Sequence, residues 1–322
     1  MMTLLIRLCC FGLINLAIAF AGYFLLKRRA TAGAWLTMTG SDALICFLFW
    51  HQHPIIKMLA IIATTFTGMK AVAATKYYQD KPGTLNFTQW LPFALGWAGM
   101  NPRPFEAFPG RPLNGAWIMI RSGLYRILIG LVLIGLVHQL VTLPVNKEAI
   151  RVIVSAILLV AFSLILHFGI LSISAGMWRF SGVNTYLLFR EPAKAASLGE
   201  LWGKRWNLAF SEMTSVAVFR PLVNKTGRAG AFIFSFLFSG LLHELALSVP
   251  VNAGYGLPTL YFFIQAMAVL LEKRLARIKN PIFNNRLFKS IWLFCWLVIP
   301  MPLLFHPEFI KQVIWPMAGL KF

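Results

Sequence analysis

The sequence predicts an all-α fold: a polytopic transmembrane helical bundle of about eight spans, with additional re-entrant or interfacial helices. Three features point to it. Hydrophobic residues make up 58% of the 322 and charged residues only 12%, well below the roughly 25% typical of a soluble domain. Apolar runs recur at lengths that cross a hydrocarbon core of about 30 Å. These runs lack the strict alternation of a membrane barrel, and an open sheet cannot satisfy its backbone in lipid. No polar stretch is long enough to fold independently, so residues 1–322 are expected to form a single integral membrane domain.

Taken in order, the spans fall at 3–26, 32–50, 54–75, 119–143, 151–175, 229–249, 256–272 and 289–306. Segment 87–100 is short, interrupted by Pro and Gly and flanked by basic residues, as a re-entrant or interfacial helix would be. The apolar run that opens the chain is long for a signal peptide. Lys27-Arg28-Arg29 stands where a small-residue cleavage site would be expected, so the run is expected to be a retained first span.

The net charge of +20 sits between the apolar runs. Lys27–Arg29 and regions 76–118, 176–228 and 272–289 are basic, while connections 51–53, 144–150 and 250–255 are poor in Lys and Arg. Eight crossings put every basic region on the cytoplasmic side, in keeping with the positive-inside rule and with anionic lipid as the partner rather than nucleic acid. A bacterial inner membrane and the endoplasmic reticulum both suit such a multi-pass chain. Cys9, Cys10, Cys46 and Cys295 lie in apolar segments without metal-ligand spacing, so neither a disulfide framework nor a metal is expected.

His243-Glu244 stands out inside span 229–249, because ionisable groups at membrane depth are costly and face a protein-lined or wet cavity. Ser235, Ser239 and Gly240 precede the pair and would let another backbone or a ligand approach closely. By itself the histidine fits a helix-packing role as well as a functional one. Asp42 and His167 are weaker candidates for the same cavity, each also explained by a bond to a neighbouring helix. His51 and His53 flank an outer connection and suit an interface better than a metal. The usual motifs of metal hydrolysis, nucleotide hydrolysis and serine hydrolases are absent from the sequence.

The region from Met177 to Arg228 is too aromatic for a plain solvated loop. Ser197 with Glu200 three residues on predicts a helix start near Leu198, and Trp202 and Trp206 share a face if that helix continues. On this evidence of composition alone, a helix at headgroup level accounts for the stretch. However, SLGELWGKRWN (Ser197 to Asn207) followed by FSGLLHEL (Phe238 to Leu245) resembles the wax-synthase-like branch of the membrane-bound O-acyltransferases. The spacing of 36 residues (243 − 207) suits that family, and the resemblance covers mainly 177–275.

The resemblance implies transfer of an acyl group from acyl-CoA, as co-substrate, to the hydroxyl of a hydrophobic alcohol, with no permanently bound cofactor. His243 would be the general base and Asn207 a second polar group, orienting His243 or donating to the oxyanion. Trp202, Trp206, Lys204, Arg205 and Glu244 are secondary substrate-binding candidates. Lys204 and Arg205 suit coenzyme A phosphates but equally suit topology or lipid headgroups. A transporter or channel with a polar intramembrane pathway is the alternative, disfavoured because no inverted repeat is visible.

Overall fold

In a computed structural model of the chain, residues 2–144, 146–277 and 285–321 are described. The longer helices are α1 (Met2–Lys27), α2 (Thr31–Leu48), α3 (Pro54–Tyr77), α4 (Phe87–Gly96), α5 (Ala116–Leu140) and α6 (Lys147–Ser163). They continue with α7 (Leu171–Phe180), α8 (Leu208–Thr214), α9 (Arg220–His243), α10 (Leu257–Leu275) and α11 (Arg286–Val298). There is no strand among the described residues.

Six helical runs are long and apolar enough to cross a bilayer: Thr3–Lys27, Pro54–Tyr77, Ala116–Leu140, Lys147–Phe180, Leu208–Val251 and Leu287–Leu304. They fall on six of the eight predicted spans. The other two, 32–50 and 256–272, are helices α2 and α10 at the predicted places but are more polar. Thr31, Thr37, Thr39, Ser41 and Asp42 lie on α2, and α10 closes with Glu272-Lys273-Arg274 in its last turns. The predicted basic stretch 272–289 lies partly outside the described residues, at 278–284.

The chain groups into two compact units. The first comprises Met1–Pro102 and Arg190–His306. Here two side-chain hydrogen bonds tie α3 to α1 and α2. Asn15 donates from Nδ2 to Thr64 Oγ1 at 3.1 Å, and Thr65 donates to Asp42 Oδ1 at 3.0 Å. Ile45, Phe49, Ala60 and Ile61 form a core against which Leu245 and Val249, just beyond His243, are packed. Within the predicted 87–100 segment the helix α4 covers only Phe87–Gly96, held at its start by an Asn86–Gln89 capping box. Its Trp90 is fully buried and donates from Nε1 to Ala19 O at 2.8 Å.

The second unit comprises Arg103–Phe189 and Pro307–Phe322. In it α5 packs along the continuous run of α6 and α7. Gly123 permits this, because a Cβ there would lie 2.7 Å from the Gly169 carbonyl oxygen. His167, in the widened turn Leu164–Ile170 between those helices, pairs its Nδ1 with Ser163 Oγ at 3.1 Å.

Candidate active site

His243 is the last residue of α9, the point at which the helix widens into a π-helical turn over Glu244–Ser248. Such turns are uncommon and recur at functional sites. The ring is partly buried, with Nδ1 2.7 Å from Ser239 O. A carbonyl only accepts, so Nδ1 carries the proton and, in the neutral ring, Nε2 is left with its lone pair. Nε2 has no protein partner among the described residues. Phe262 and Phe210 flank the ring, with centroids 4.4 and 5.4 Å away.

Helix α10 joins the two sequence motifs. Gly240 lies against Thr259 so closely that a Cβ there would sit 2.8 Å from Thr259 Cα. The expected close backbone approach is therefore made by α10. Glu244 accepts at Oε1 from Gly256 N (3.0 Å), Thr259 N (3.0 Å) and Thr259 Oγ1 (2.9 Å), capping the start of α10. Further along, fully buried Gln265 accepts from Trp202 Nε1 at 3.2 Å and donates to Trp296 O at 2.6 Å. Glu272 then accepts from Leu198 N (3.0 Å) and Gly199 N (3.1 Å), anchoring the Trp-rich segment.

In that segment the helix starts at Leu198 as predicted, with Ser197 Oγ accepting from Glu200 N at 2.9 Å. It then widens over Leu201–Arg205 and stops, because Trp206 is extended (φ −107, ψ 123). Trp202 and Trp206 consequently do not share a helix face. Trp202 packs against Phe236 and Phe262 at 5.9 and 5.8 Å, which places it one ring away from His243. Arg205 is engaged by Glu200 Oε1 at 2.6 Å and by the carbonyls of Arg190 and Glu191. Glu200 also receives Ala196 N–H, and this bond, followed by that of Arg205, holds its carboxyl below the ordinary range. Lys204 is exposed.

Asn207 follows in the left-handed region (φ 46, ψ 66), a conformation Asn tolerates better than most residues. It caps α8, with Oδ1 accepting from Phe210 N at 3.4 Å. No hydrogen bond joins Asn207 to His243 among the described residues. The link between them is Phe210, whose ring meets His243. Phe210, Phe262, Gln265 and Glu272 were not singled out from sequence. Of these only Gln265, a lone amide inside an apolar helix, carried a signal.

Of the weaker candidates, Asp42 is satisfied by Thr65, and His53 caps α3 by accepting from Ile55 N at 3.3 Å. No group of three metal-ligating side chains occurs among the described residues. An apolar groove of about 490 Å³ runs between α9 and α10, lined in part by Leu237, Leu241, Glu244, Leu260 and Phe263. Leu237 and Leu241, four residues apart, share one face of α9, and His243 is not among the residues that line the groove.

Fold and site together define an integral membrane protein whose histidine, clamped at one ring nitrogen, presents the other among aromatic rings. Residues 186–265 match the Membrane bound O-acyl transferase family. The chain is also similar to a long-chain-alcohol O-fatty-acyltransferase of Simmondsia chinensis, 36% identical over 72 residues, 20% of each chain. A probable long-chain-alcohol O-fatty-acyltransferase 6 of Arabidopsis thaliana is 38% identical over 63 residues, 18% of each. A longer match, 24% identical over 150 residues, covers 44% of this chain and 43% of the Arabidopsis thaliana probable long-chain-alcohol O-fatty-acyltransferase 2. The first of these matches thus spans about a fifth of its relative's length. Residues 186–265 carry the sequence of a membrane-bound O-acyltransferase of the wax-synthase-like branch, as the two motifs implied.

Proposed function

We propose that the chain is a membrane-embedded O-acyltransferase that moves an acyl group from acyl-CoA to the hydroxyl of a hydrophobic alcohol. The observation that carries this reading is the 2.7 Å bond from His243 Nδ1 to Ser239 O, which leaves Nε2 as the basic atom. In the proposed reaction Nε2 takes the alcohol proton as the oxygen attacks the thioester carbonyl carbon. The tetrahedral intermediate collapses with loss of the coenzyme A thiolate, which recovers the proton from the imidazolium. The products are the ester and free coenzyme A, and no acyl-enzyme is needed because a thioester already has a good leaving group.

With Oδ1 of Asn207 committed to Phe210 N, the amide NH₂ is the end left to donate. That favours a hydrogen bond to the developing oxyanion over one that orients His243, whose Nδ1 is already held by Ser239. Trp202, Phe262 and Phe210 supply apolar walls beside the ring. These walls would keep water from competing with the alcohol for the thioester. Lys204, exposed, is better placed than the engaged Arg205 to meet coenzyme A phosphates. Trp206 would sit beside it at the mouth of the site.

The test is product formation. Purified protein in lipid nanodiscs, given labelled acyl-CoA and a panel of long-chain alcohols, sterols and acylglycerols, is expected to release ester and coenzyme A in equal amounts. Absence of ester with every donor and acceptor would defeat the proposal.

A further inference from the structure

A second set of ionisable groups lies in the first unit, beside the site but not in it. Lys70, on α3, is 1% exposed, and its ammonium donates to the Gly99 carbonyl and lies 4.2 Å from the Phe93 ring centroid. Glu212, on α8, accepts at Oε2 from Met100 N and Asn101 N, both at 3.1 Å. The turn Gly99–Asn101 is thus gripped from both sides, its carbonyl by a cation and its two amides by a carboxylate. Losing either side chain leaves polar groups of the turn without that partner, so the turn depends on both.

The arrangement reaches the reacting groups through α8, which has only seven residues from Leu208 to Thr214. Asn207 caps one end of this helix and Glu212 ties the other. Phe66, one turn before Lys70 on α3, meets Phe210 at 6.3 Å between centroids, and Phe210 meets His243 at 5.4 Å. We propose that Lys70 and Glu212 are positioning residues: through the Gly99–Asn101 turn they fix α8, and so set where the Asn207 amide stands relative to His243. This rests on the reading of His243 and Asn207 as the reacting pair. Neither Lys70 nor Glu212 touches substrate in it.

The test compares full-length wild type with Glu212→Ala, Glu212→Gln, Lys70→Met/Glu212→Gln and Asn207→Ala, all in nanodiscs. For a misplacement on the order of 1 Å, kcat of Glu212→Ala is expected to fall about 100-fold while KM for either substrate stays within a few-fold. Combined with Asn207→Ala it should add no further loss, because both act through the same amide. Glu212→Gln keeps an acceptor oxygen for the two amides of the turn and should lose less of kcat than Glu212→Ala, whereas Lys70→Met in the same chain also removes the donor to the Gly99 carbonyl and should lower kcat further. Unchanged kcat in Glu212→Ala, full additivity with Asn207→Ala, or a double variant no slower than Glu212→Gln would each overturn the proposal. Where Glu212→Ala fails to fold, the comparison of Glu212→Gln with the double variant decides the matter. Hydrogen–deuterium exchange over residues 207–213 reports the tether without reference to activity. It should quicken in Glu212→Ala, and unchanged exchange overturns the tether even where wild type forms no ester, an outcome that would separately defeat the proposed function.

Discussion

Gly240→Ala tests whether the α9–α10 contact sets the site. A Cβ at this position would stand 2.8 Å from Thr259 Cα, whereas carbon atoms are most favourably separated by about 3.5–4.0 Å. The shortfall of roughly 0.7–1.2 Å has to be met by moving backbone, because the contact atom is a Cα. Alanine in place of glycine gains about 0.5–1 kcal/mol of helix preference, but overpacking costs about 1–3 kcal/mol, so the clash prevails. Moving the start of α10 by that amount stretches the bonds from Gly256 and Thr259 to Glu244, now 2.9 to 3.0 Å. It also shifts Phe262, which lies 4.4 Å from the His243 ring. Loss of roughly 1 Å of alignment is worth about 100-fold in rate. Initial rates of ester formation and thermal unfolding midpoints, taken on the same nanodisc preparation, should both fall. A Gly240→Ala protein with wild-type rate and midpoint would refute the reasoning.

Other substitutions separate structural from chemical roles. Asn207→Gly keeps the left-handed backbone and removes the amide, so if the amide donates to the oxyanion, its kcat should fall as far as that of Asn207→Ala, about 10²–10³-fold. A glycine variant near wild type in the same rate assay would show that only the backbone conformation matters. Glu244→Gln retains an acceptor for the amides of Gly256 and Thr259 and should keep most activity and stability. Glu244→Ala strands those donors at about 1–3 kcal/mol each where buried and should lower the unfolding midpoint; equal loss in both variants would point instead to a role for the charge. Glu200 is held below its ordinary value of 4.5 by Ala196 N–H and Arg205. Its contribution is therefore fully present above that value and disappears as pH falls through the lowered one. Amide exchange at Ala196 should accelerate only below the ordinary carboxylate range, and an onset near neutral pH would contradict the assignment.

The membrane helices were legible because hydropathy and length are local properties. Predicted span 54–75 falls on α3, and 229–249 falls on α9 and the turn that follows it, inside the apolar run Leu208–Val251. Where reading by hydropathy fell short, polar residues were embedded in helices. Thr37, Thr39 and Asp42 lower the hydropathy of α2, and the polar start of α9 at Arg220 carries no apolar signal. The candidate site was half legible. His243 could be picked out as an ionisable residue inside an apolar run and Ser197 by its spacing to Glu200, whereas Asn207 came only from the family resemblance. Their setting could not, because it depends on pairings between distant positions: Glu272 with Leu198, Gln265 with Trp202, and Glu212 with the Gly99–Asn101 turn. The regular helical spacing assumed for Trp202 and Trp206 failed for a different reason. The helix widens at Leu201–Arg205 and ends before Trp206, and a one-residue change in hydrogen-bond period leaves no mark in composition.

The central claim is that His243 Nε2 removes the alcohol proton. Single-turnover ester formation by His243→Ala, at saturating acyl-CoA and alcohol and with donor binding measured separately, tests it most directly. Donor binding should persist while the rate of ester formation falls by about 10²–10⁴-fold, the range general-base catalysis supplies. Ester formation by His243→Ala at the wild-type rate would contradict it.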